Sequence, residues 1–474
     1  MPQKTYFFDI TDILMYVEHQ TTVSGIQRVS FEVIKRAITR LGADHVRLSY
    51  WDKRSQTYMC VPAGPLNAGP GFSPQRLAKV FFNSEAWSER HAPTLIRYRN
   101  KPMKYRFHKT MRVYQAWRQN DAYFKRRGSS LAEWQAFDAH KPPEDQISLA
   151  DLGPTPVTQE AQAGDPLIIL GAIWNIDGLY EALQRLRDTH GMDVTQLIHD
   201  LIPLVKPEHI ADDFSHKFYY WLETSFSYCA RYYANSENTA RDLRRFMQEI
   251  GQERPIEVVP LAQRFADAPQ TLGQEDRSLK ETLAYIKEID RQILNLTKMP
   301  YVLVVGTLET RKNAWRLAQA WQRLSQETEI NLPKLVFAGK SGWYNHDFDM
   351  LMSATGNLGG WVQFANGPSD RELQFLYENC LFTAMVSLYE GWGLPIGEGL
   401  SFGKTGVVAN NSSMPEVGGD MVEYCDAQSI DSIYAACRRL VADPAHRQAL
   451  EARIARTDLR TWDDVVGDVV RLVE

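Results

Sequence analysis

Short apolar runs bounded by polar turns recur along this chain, and most are followed by an amphipathic stretch long enough for a helix. In the C-terminal half the runs are YVLVVG, KLVFAG, WVQFAN, LFTAMVSLY and TGVVAN. The stretches between them include NAWRLAQAWQRLSQE, SDRELQFLYEN and a short one from Pro395 to Phe402. Runs this short, rich in Val, Phe and Leu and separated by helices, are the pattern of strands buried on both faces of a parallel sheet. The fold class that follows is α/β with doubly wound sheets. The N-terminal half repeats the alternation. There KTYFFDI, VRLSYW, PLIILGAI, VTQLIHDL, RYYANS and IEVVPLA read as strands, and GIQRVSFEVIKRAITRL, GLYEALQRLRDT and ENTARDLRRFMQEI as helices.

A chain of 474 residues is too long for one ordinary core, which predicts two domains. We place them at about 1–280 and 290–455, with the polar stretch 266–298 as the linker between them. An insertion of about 66–150 interrupts the first, and an amphipathic helix of about 460–474 ends the chain. The net charge of −5 does not mark the whole protein as a polyanion binder. No run approaches the ~18–20 apolar residues of a bilayer span. The N-terminal MPQKTYFFDITD meets acids before any long apolar stretch, so no secretory signal is expected. Cys60, Cys229, Cys380, Cys425 and Cys437 are scattered without CxxC spacing, which predicts reduced thiols and a cytoplasmic location.

Residues 90–127 carry twelve Lys or Arg, one acid (Asp121) and seven aromatics. One reading is an inserted helical subdomain with a solvated basic face. Another is a surface for an anionic acceptor or an anionic membrane, which would make the protein peripheral at the inner face of the cytoplasmic membrane. Nucleic acid is a third, but no recognised nucleic-acid motif accompanies the charge, and no nucleic-acid partner is expected.

The segment EGWGLPIGEGLSFGK, 390–404, sets two acids around a run of Gly and Pro. Glu390 follows a buried strand. Gly391 and Gly393 permit a tight turn and a close backbone approach, Pro395 suits the first helical position, and Gly403 suits the far end. The loop thus presents a helix N-terminus at the carboxyl edge of a parallel sheet, a place that favours phosphate. Carboxylates there would repel phosphate but accept strongly from hydroxyls. A ligand with a diphosphate between two polyols reconciles the two, and a nucleotide sugar has that form. Two solvated acids on a strand–turn–helix is the plainer alternative. In YVLVVGTLETRKNAWRLA, Arg311 and Lys312 precede a helix that Asn313 could cap. Arg offers a rigid fork and Lys a point charge to a diphosphate.

In order along the chain, VVGTLETRKN, KLVFAGKSGW, SDRELQFLY, SLYEGWGLPIGEGLSFGK and SSMPEVGGD resemble the nucleotide-binding domain of the family 4 retaining glycosyltransferases, which have the GT-B fold. The E-x7-E spacing of Glu390 and Glu398 is that family's signature. The resemblance implies that Glu390 contacts the donor sugar, Glu398 holds the ribose, and Arg311 and Lys312 hold the diphosphate. The implied donor-site residues also include Gly306, Thr307, Gly339, Lys340, Gly391, Trp392, Gly393 and Leu394. TTVSGIQRVSFEVIKRA resembles the family's glycine loop, with the backbone near Gly25 approaching the donor phosphate. On its residues alone SGIQR is a helix start capped by Ser24. LIHDLIPLVKPEHI resembles an H-D-x-x-P element that puts His199 in the cleft near the donor sugar. Trp392 stands where Phe is commoner, and GEGL where the family often has LEAM. Roughly 52–150 shows no family pattern.

What the resemblance implies is two Rossmann-like domains facing across a cleft, with the terminal helix returning to the first. The activity implied is retaining transfer of a hexose from a nucleotide diphosphate sugar to a saccharide or lipid-linked saccharide acceptor, in bacterial O-antigen or capsule synthesis. Catalytic roles fall to His199, Glu390, Arg311 and Lys312. GDP-mannose or a GDP-6-deoxyhexose is the favoured donor and a UDP-sugar the alternative. The donor is a substrate, and no cofactor or metal is expected, because Arg and Lys supply the positive charge. Three rival readings are an epimerase or phosphorylase of the same architecture, a non-catalytic sugar-nucleotide-binding scaffold, and a nucleic-acid binder resting on the basic insert.

Overall fold

The computed structural model describes residues 4–473 except 20–24, 69–70, 84–94, 96–97, 99–101, 128, 140–146, 211–212 and 267–278. The Ser24 cap, part of the basic stretch and part of the linker therefore lie outside the described residues. The first sheet is built from β1 (Tyr6–Asp9), β2 (Val46–Asp52), β3 (Thr57–Pro62), β4 (Thr155–Pro156), β5 (Pro166–Ile169), β6 (Asp193–Ile198), β7 (Arg231–Ala234) and β8 (Ile256–Val258). Its order is β4-β3-β2-β1-β5-β6-β7-β8. The six strands from β2 to β8 in that order pair in parallel, while β3 pairs antiparallel with β2 and with β4. The second sheet contains β9 (Tyr301–Val305), β10 (Lys334–Gly339), β11 (Val362–Asn366), β12 (Phe382–Met385), β13 (Gly406–Ala409) and β14 (Glu423–Cys425). It is wholly parallel, in the order β11-β10-β9-β12-β13-β14.

The expected strands form in both halves, and β3, β4 and β14 are additional. The β2–β3 hairpin turns through Lys53–Gln56 with Gln56 at φ 50, so no glycine announces it. The 266–298 stretch contains two helices, Leu279–Glu288 and Arg291–Leu296. Their Tyr285, Ile289 and Ile293 pack on Tyr301, Leu303 and Leu376 of the second domain. Among the described charges of the stretch, Lys287, Glu288 and Arg291 lie exposed on their outward faces.

Between β3 and β4 lie the helices Pro102–Trp117, Asp121–Lys125 and Leu131–Ala139. They enclose a small core of their own at Leu95, Phe124 and Trp134. The helix Trp462–Arg471 starts at a capping box between Thr461 and Asp464. Its buried face, Val465, Val466, Val469 and Val470, joins a cluster with Val33 and Ile34 of the first domain and Trp392 and Ile396 of the second. Among the described residues, no helix is long and apolar enough to cross a membrane.

Trp462 is 3% exposed within that shared cluster. Trp462→Ala is expected to lower the unfolding free energy by about 3–5 kcal/mol, read as a lower urea midpoint. A shift under about 1 kcal/mol would show that the terminal helix is not part of the core.

Candidate active site

Strand order reverses between β9 and β12, because the chain leaves β9 towards β10 and β12 towards β13. In open parallel sheets the crevice beyond the carboxyl ends at such a reversal is where ligands bind. Two loops emerge there. The one after β9 carries Gly306 and Thr307 and closes in a short turn at Thr310–Lys312. The one after β12 carries Glu390 and runs into the helix Leu394–Ser401, with Pro395 in its first turn, one residue past the expected first position. The loops are stapled by the Leu388 amide donating to the Arg311 carbonyl, 2.8 Å. Asn313 occupies the N-terminal cap position of the Ala314–Leu324 helix as expected, but its side chain makes no capping bond. It sits at φ 60, and its amide donates to the carbonyls of Val386 (2.9 Å) and Ala427 (2.8 Å). Its side chain thereby ties three loops together.

The staple brings Arg311 and Lys312 to Glu390. The Glu390 carboxylate is 2.7 Å from the Arg311 guanidinium and 2.6 Å from Lys312 Nζ. Arg311 also donates to the Tyr389 carbonyl at 2.6 Å and pairs with the buried Glu309. Burial alone would raise the Glu390 carboxyl, but Arg311 and Lys312 outweigh it and hold it at about 2. The Arg311 guanidinium loses to burial and gains more from Glu390 and Glu309, so it is firmly cationic. Glu309 lies inside the quoted TLETRKN and was not assigned from the sequence.

Glu398 lies on the Leu394–Ser401 helix and is buried. It accepts from the Tyr377 hydroxyl at 2.8 Å and stands 3.5 Å from the Arg28 guanidinium. Arg28 belongs to the first domain's Ile26–Leu41 helix, and it also pairs with Asp370 at the start of the Asp370–Asn379 helix. Burial raises the Glu398 carboxyl against the pull of Arg28. Arg28 and Tyr377 lie in the quoted SGIQR and SDRELQFLY. Their role was not legible because both side chains act across distances that no local pattern records.

His199 follows β6 on the opposite side of the domain boundary. Its Nε2 is 2.7 Å from the Leu170 carbonyl, which can only accept, so Nε2 carries the proton and Nδ1 is left as an acceptor. Burial pushes the ring down to about 4 and keeps it neutral. The His199 carbonyl lies against Gly391, where an added Cβ would stand 2.0 Å from it. The close approach that Gly391 permits is therefore to the first domain's backbone. The Gly391 carbonyl accepts from Ser236 at 2.8 Å. Glu416 of SSMPEVGGD accepts from the Glu237 and Asn238 amides (2.8 and 2.9 Å), capping the first-domain helix Glu237–Glu249 from across the boundary.

The remaining expected residues divide in two. Gly306 and Thr307 run beside Gly339 and Lys340, with Gly306 N donating to the Ala338 carbonyl and Leu308 N to that of Lys340. Gly25 starts the Ile26–Leu41 helix at φ 56, and among the described residues no atom lies within 4 Å of where a Cβ would stand. Gly393 forms the N-terminal cap of the Leu394–Ser401 helix at φ 106. By contrast, the side chains of Trp392 and Leu394 join the shared core, and the Trp392 indole donates to the Ala262 carbonyl at 3.4 Å. What those two offer a ligand is backbone. Two acids on the first domain's side were not foreseen. Asp9 accepts from Tyr58 and Thr11, and Asp12 from Gln27 (3.1 and 3.3 Å); burial raises each to about 6. No D-x-D element was expected in the second domain, yet Asp347-Phe348-Asp349 has that spacing. Both acids are exposed in the first turn of the His346–Gly360 helix, where the helix dipole favours them.

Residues 286–457 match the family model described as Glycosyl transferases group 1. The chain is 34% identical over 171 residues to O-antigen chain mannosyltransferase B of Escherichia coli, covering 36% of this chain and 44% of that protein. It is 23% identical over 267 residues to the serotype-specific mannosyltransferase WbdA of Escherichia coli, covering 56% and 31%. The chain thus spans less than half the length of these curated relatives. Among solved structures, the crystal structure of Anabaena Alr3699/HepE in complex with UDP and glucose is similar over 99% of both chains, with a TM-score of 0.53 and 12% identity. That likeness bears on the fold alone, and the two-sheet arrangement is the GT-B fold.

The folded ring of His199 titrates at about 4, below the ordinary 6.5, so the unfolded chain takes up its proton first as pH falls. The penalty grows between 6.5 and 4 and amounts to about 2 kcal/mol at pH 5. His199→Gln keeps a donor for Leu170 without that titration. The urea midpoint of the wild type is expected to fall further from pH 7 to pH 5 than that of His199→Gln. Equal falls would place the ring in water.

Proposed function

We propose that this protein is a retaining, metal-independent glycosyltransferase. In this reading it moves a hexose from a nucleotide diphosphate sugar to a saccharide or lipid-linked saccharide acceptor in bacterial surface polysaccharide synthesis, on the cytoplasmic side. GDP-mannose or a GDP-6-deoxyhexose is the proposed donor, ahead of a UDP-sugar; the mannosyltransferase names of the relatives support that order. The observation that carries the proposal is the Arg311–Glu390–Lys312 cluster at the reversal between β9 and β12, next to Gly391, which meets the His199 carbonyl.

Each residue has a role that its surroundings allow. Glu398 accepts from the ribose hydroxyls, held in place by Tyr377 and Arg28. Lys312, the Leu394–Ser401 helix N-terminus and the backbone at Gly25 stabilise the diphosphate as the C1–oxygen bond breaks. Arg311 fixes Glu390, whose carboxylate orients the hexose hydroxyls. His199 accepts from a sugar hydroxyl through Nδ1. The acceptor hydroxyl attacks C1 on the face the diphosphate leaves, and its proton passes to the departing phosphate oxygen. No protein nucleophile is assigned. Closure of the two domains over the donor excludes water and limits hydrolysis.

Thermal unfolding with GDP, UDP, ADP and dTDP tests the site. One nucleotide at about 100 times its dissociation constant is expected to stabilise the wild type by roughly 2.7 kcal/mol, and Glu398→Ala by clearly less. Lys312→Ala is expected to lower kcat with GDP-mannose by roughly 100-fold or more, with an unchanged rate in EDTA and an axial mannoside as product. If no nucleotide stabilises the protein, the proposal fails. If one binds but no sugar is transferred to any acceptor, the non-catalytic scaffold reading replaces it.

A further inference from the structure

The helix Pro102–Trp117 has two contrasting faces. Its inner face carries Tyr105, Arg112 and Ala116, with Arg112 2% exposed, and Tyr105 and Ala116 pack on the small core of Leu95, Phe124 and Trp134. The opposite face carries large apolar side chains in the open: Met103 is 85% exposed, Phe107 61%, Tyr114 48% and Trp117 78%. At 3.6 residues per turn these four fall within a sector of roughly 80°, centred about opposite Arg112. Exposed apolar side chains are ordinary when single, but a continuous stripe of four is not.

Cations border the stripe on both sides. Lys104 and Arg118 stand along one edge and Arg106 and Lys109 along the other, all exposed. Lys125, Arg126 and Arg127 continue the charge at and just beyond the end of the Asp121–Lys125 helix. An apolar stripe edged by Lys and Arg on an in-plane helix is the form that enters the boundary between lipid headgroups and acyl chains. We propose that this face of the Pro102–Trp117 helix docks on an anionic lipid bilayer, with Phe107, Tyr114 and Trp117 inserted among the headgroups and the cations paired with lipid phosphate.

The position of the insertion gives the docking a consequence. Glu133 of the Leu131–Ala139 helix pairs with Lys287 at 2.6 Å. The next residue, Glu288, pairs with Arg371 at 2.7 Å, and Asp370 beside it pairs with Arg28 at the domain boundary. These pairs tie the insertion that carries the stripe to the domain boundary, which docking would bring to a bilayer holding a lipid-linked saccharide. The docking itself does not depend on the proposed transferase activity.

The test uses the full chain in flotation with vesicles of phosphatidylcholine alone and of phosphatidylcholine with phosphatidylglycerol. Binding only to the anionic vesicles, weakened by salt, is expected. Lys104→Glu/Arg106→Glu/Lys109→Glu should weaken it by about a hundredfold, since each surface cation is worth roughly fivefold. Phe107→Ser/Trp117→Ser should weaken it while leaving the charge intact. Both variants alter exposed side chains only, and an unchanged thermal midpoint confirms their folding. The proposal would be overturned by no binding to either vesicle, by equal binding to both, or by loss of the stripe's exposure through self-association, seen as a dimer that Phe107→Ser/Trp117→Ser dissolves. Binding unaffected by either variant would place the lipid surface elsewhere on the molecule and equally overturn it.

Discussion

The Glu390 carboxylate is buried, and it can be so only because two cations are delivered to it. An unpaired carboxylate taken out of water would cost several kcal/mol or take up a proton. With Arg311 and Lys312 on either oxygen it stays charged at about 2. Those cations come from the loop after β9 and the carboxylate from the loop after β12, so the pairing demands that both loops hold one geometry. The Leu388–Arg311 backbone bond and the Asn313 side chain supply it. The parallel sheet sets the starting points, since β9 and β12 are hydrogen-bonded neighbours.

A second constraint acts between the domains. The His199 carbonyl meets Gly391, and Gln263 meets Gly397, at separations that a Cβ at either glycine would violate. Glu416 caps a first-domain helix, and Arg28 reaches Glu398 and Asp370. Segments that a diphosphate site would use are thus the same ones that join the halves. Loop position and domain closure are coupled: a change that parts Arg28 from Glu398 also removes the cation facing that carboxylate. The terminal helix strengthens the coupling, because its valines share one core with Val33 and Trp392.

Much of this was legible from residue pattern. The parallel strands declare themselves as short apolar runs, and Pro395 and Gly403 mark the ends of the helix carrying Glu398. The illegible parts have a common physical cause. β3 returns antiparallel on β2 across a turn without glycine, and the two-residue β4 reaches β3 only after the whole insertion, so nothing local signals either. The 266–298 stretch reads as polar because its helices bury only one narrow face, at Tyr285, Ile289 and Ile293. Asn313 has the composition of a cap, yet two carbonyls from distant loops claim its amide. Arg28, Glu309, Tyr377 and Glu416 all lie inside motifs singled out from the sequence. Their partners are named only by the fold, since the Arg28–Asp370 pair spans 342 residues. Trp392 and Leu394 keep their place in the motif but turn their side chains into the shared core.

Charge balance explains how acids can stand beside a diphosphate site under the proposed function. Arg311 and Lys312 contribute two positive charges against Glu309 and Glu390, while the neighbouring Asp200 is raised by burial towards its neutral form. A neutral cluster is cheap to bury, whereas two bare cations in the same crevice would repel each other. Arg311 is held by Glu309, Glu390 and the Tyr389 carbonyl, and its rigid fork has little freedom to turn away. Lys312 meets Glu390 through a flexible stem and a point charge, so it is the cation that can swing to a phosphate oxygen. That movement would free one Glu390 oxygen for a sugar hydroxyl while Arg311 still neutralises the other. Diphosphate binding and sugar recognition would then be two halves of one exchange of partners, with no carboxylate left unpaired at any stage.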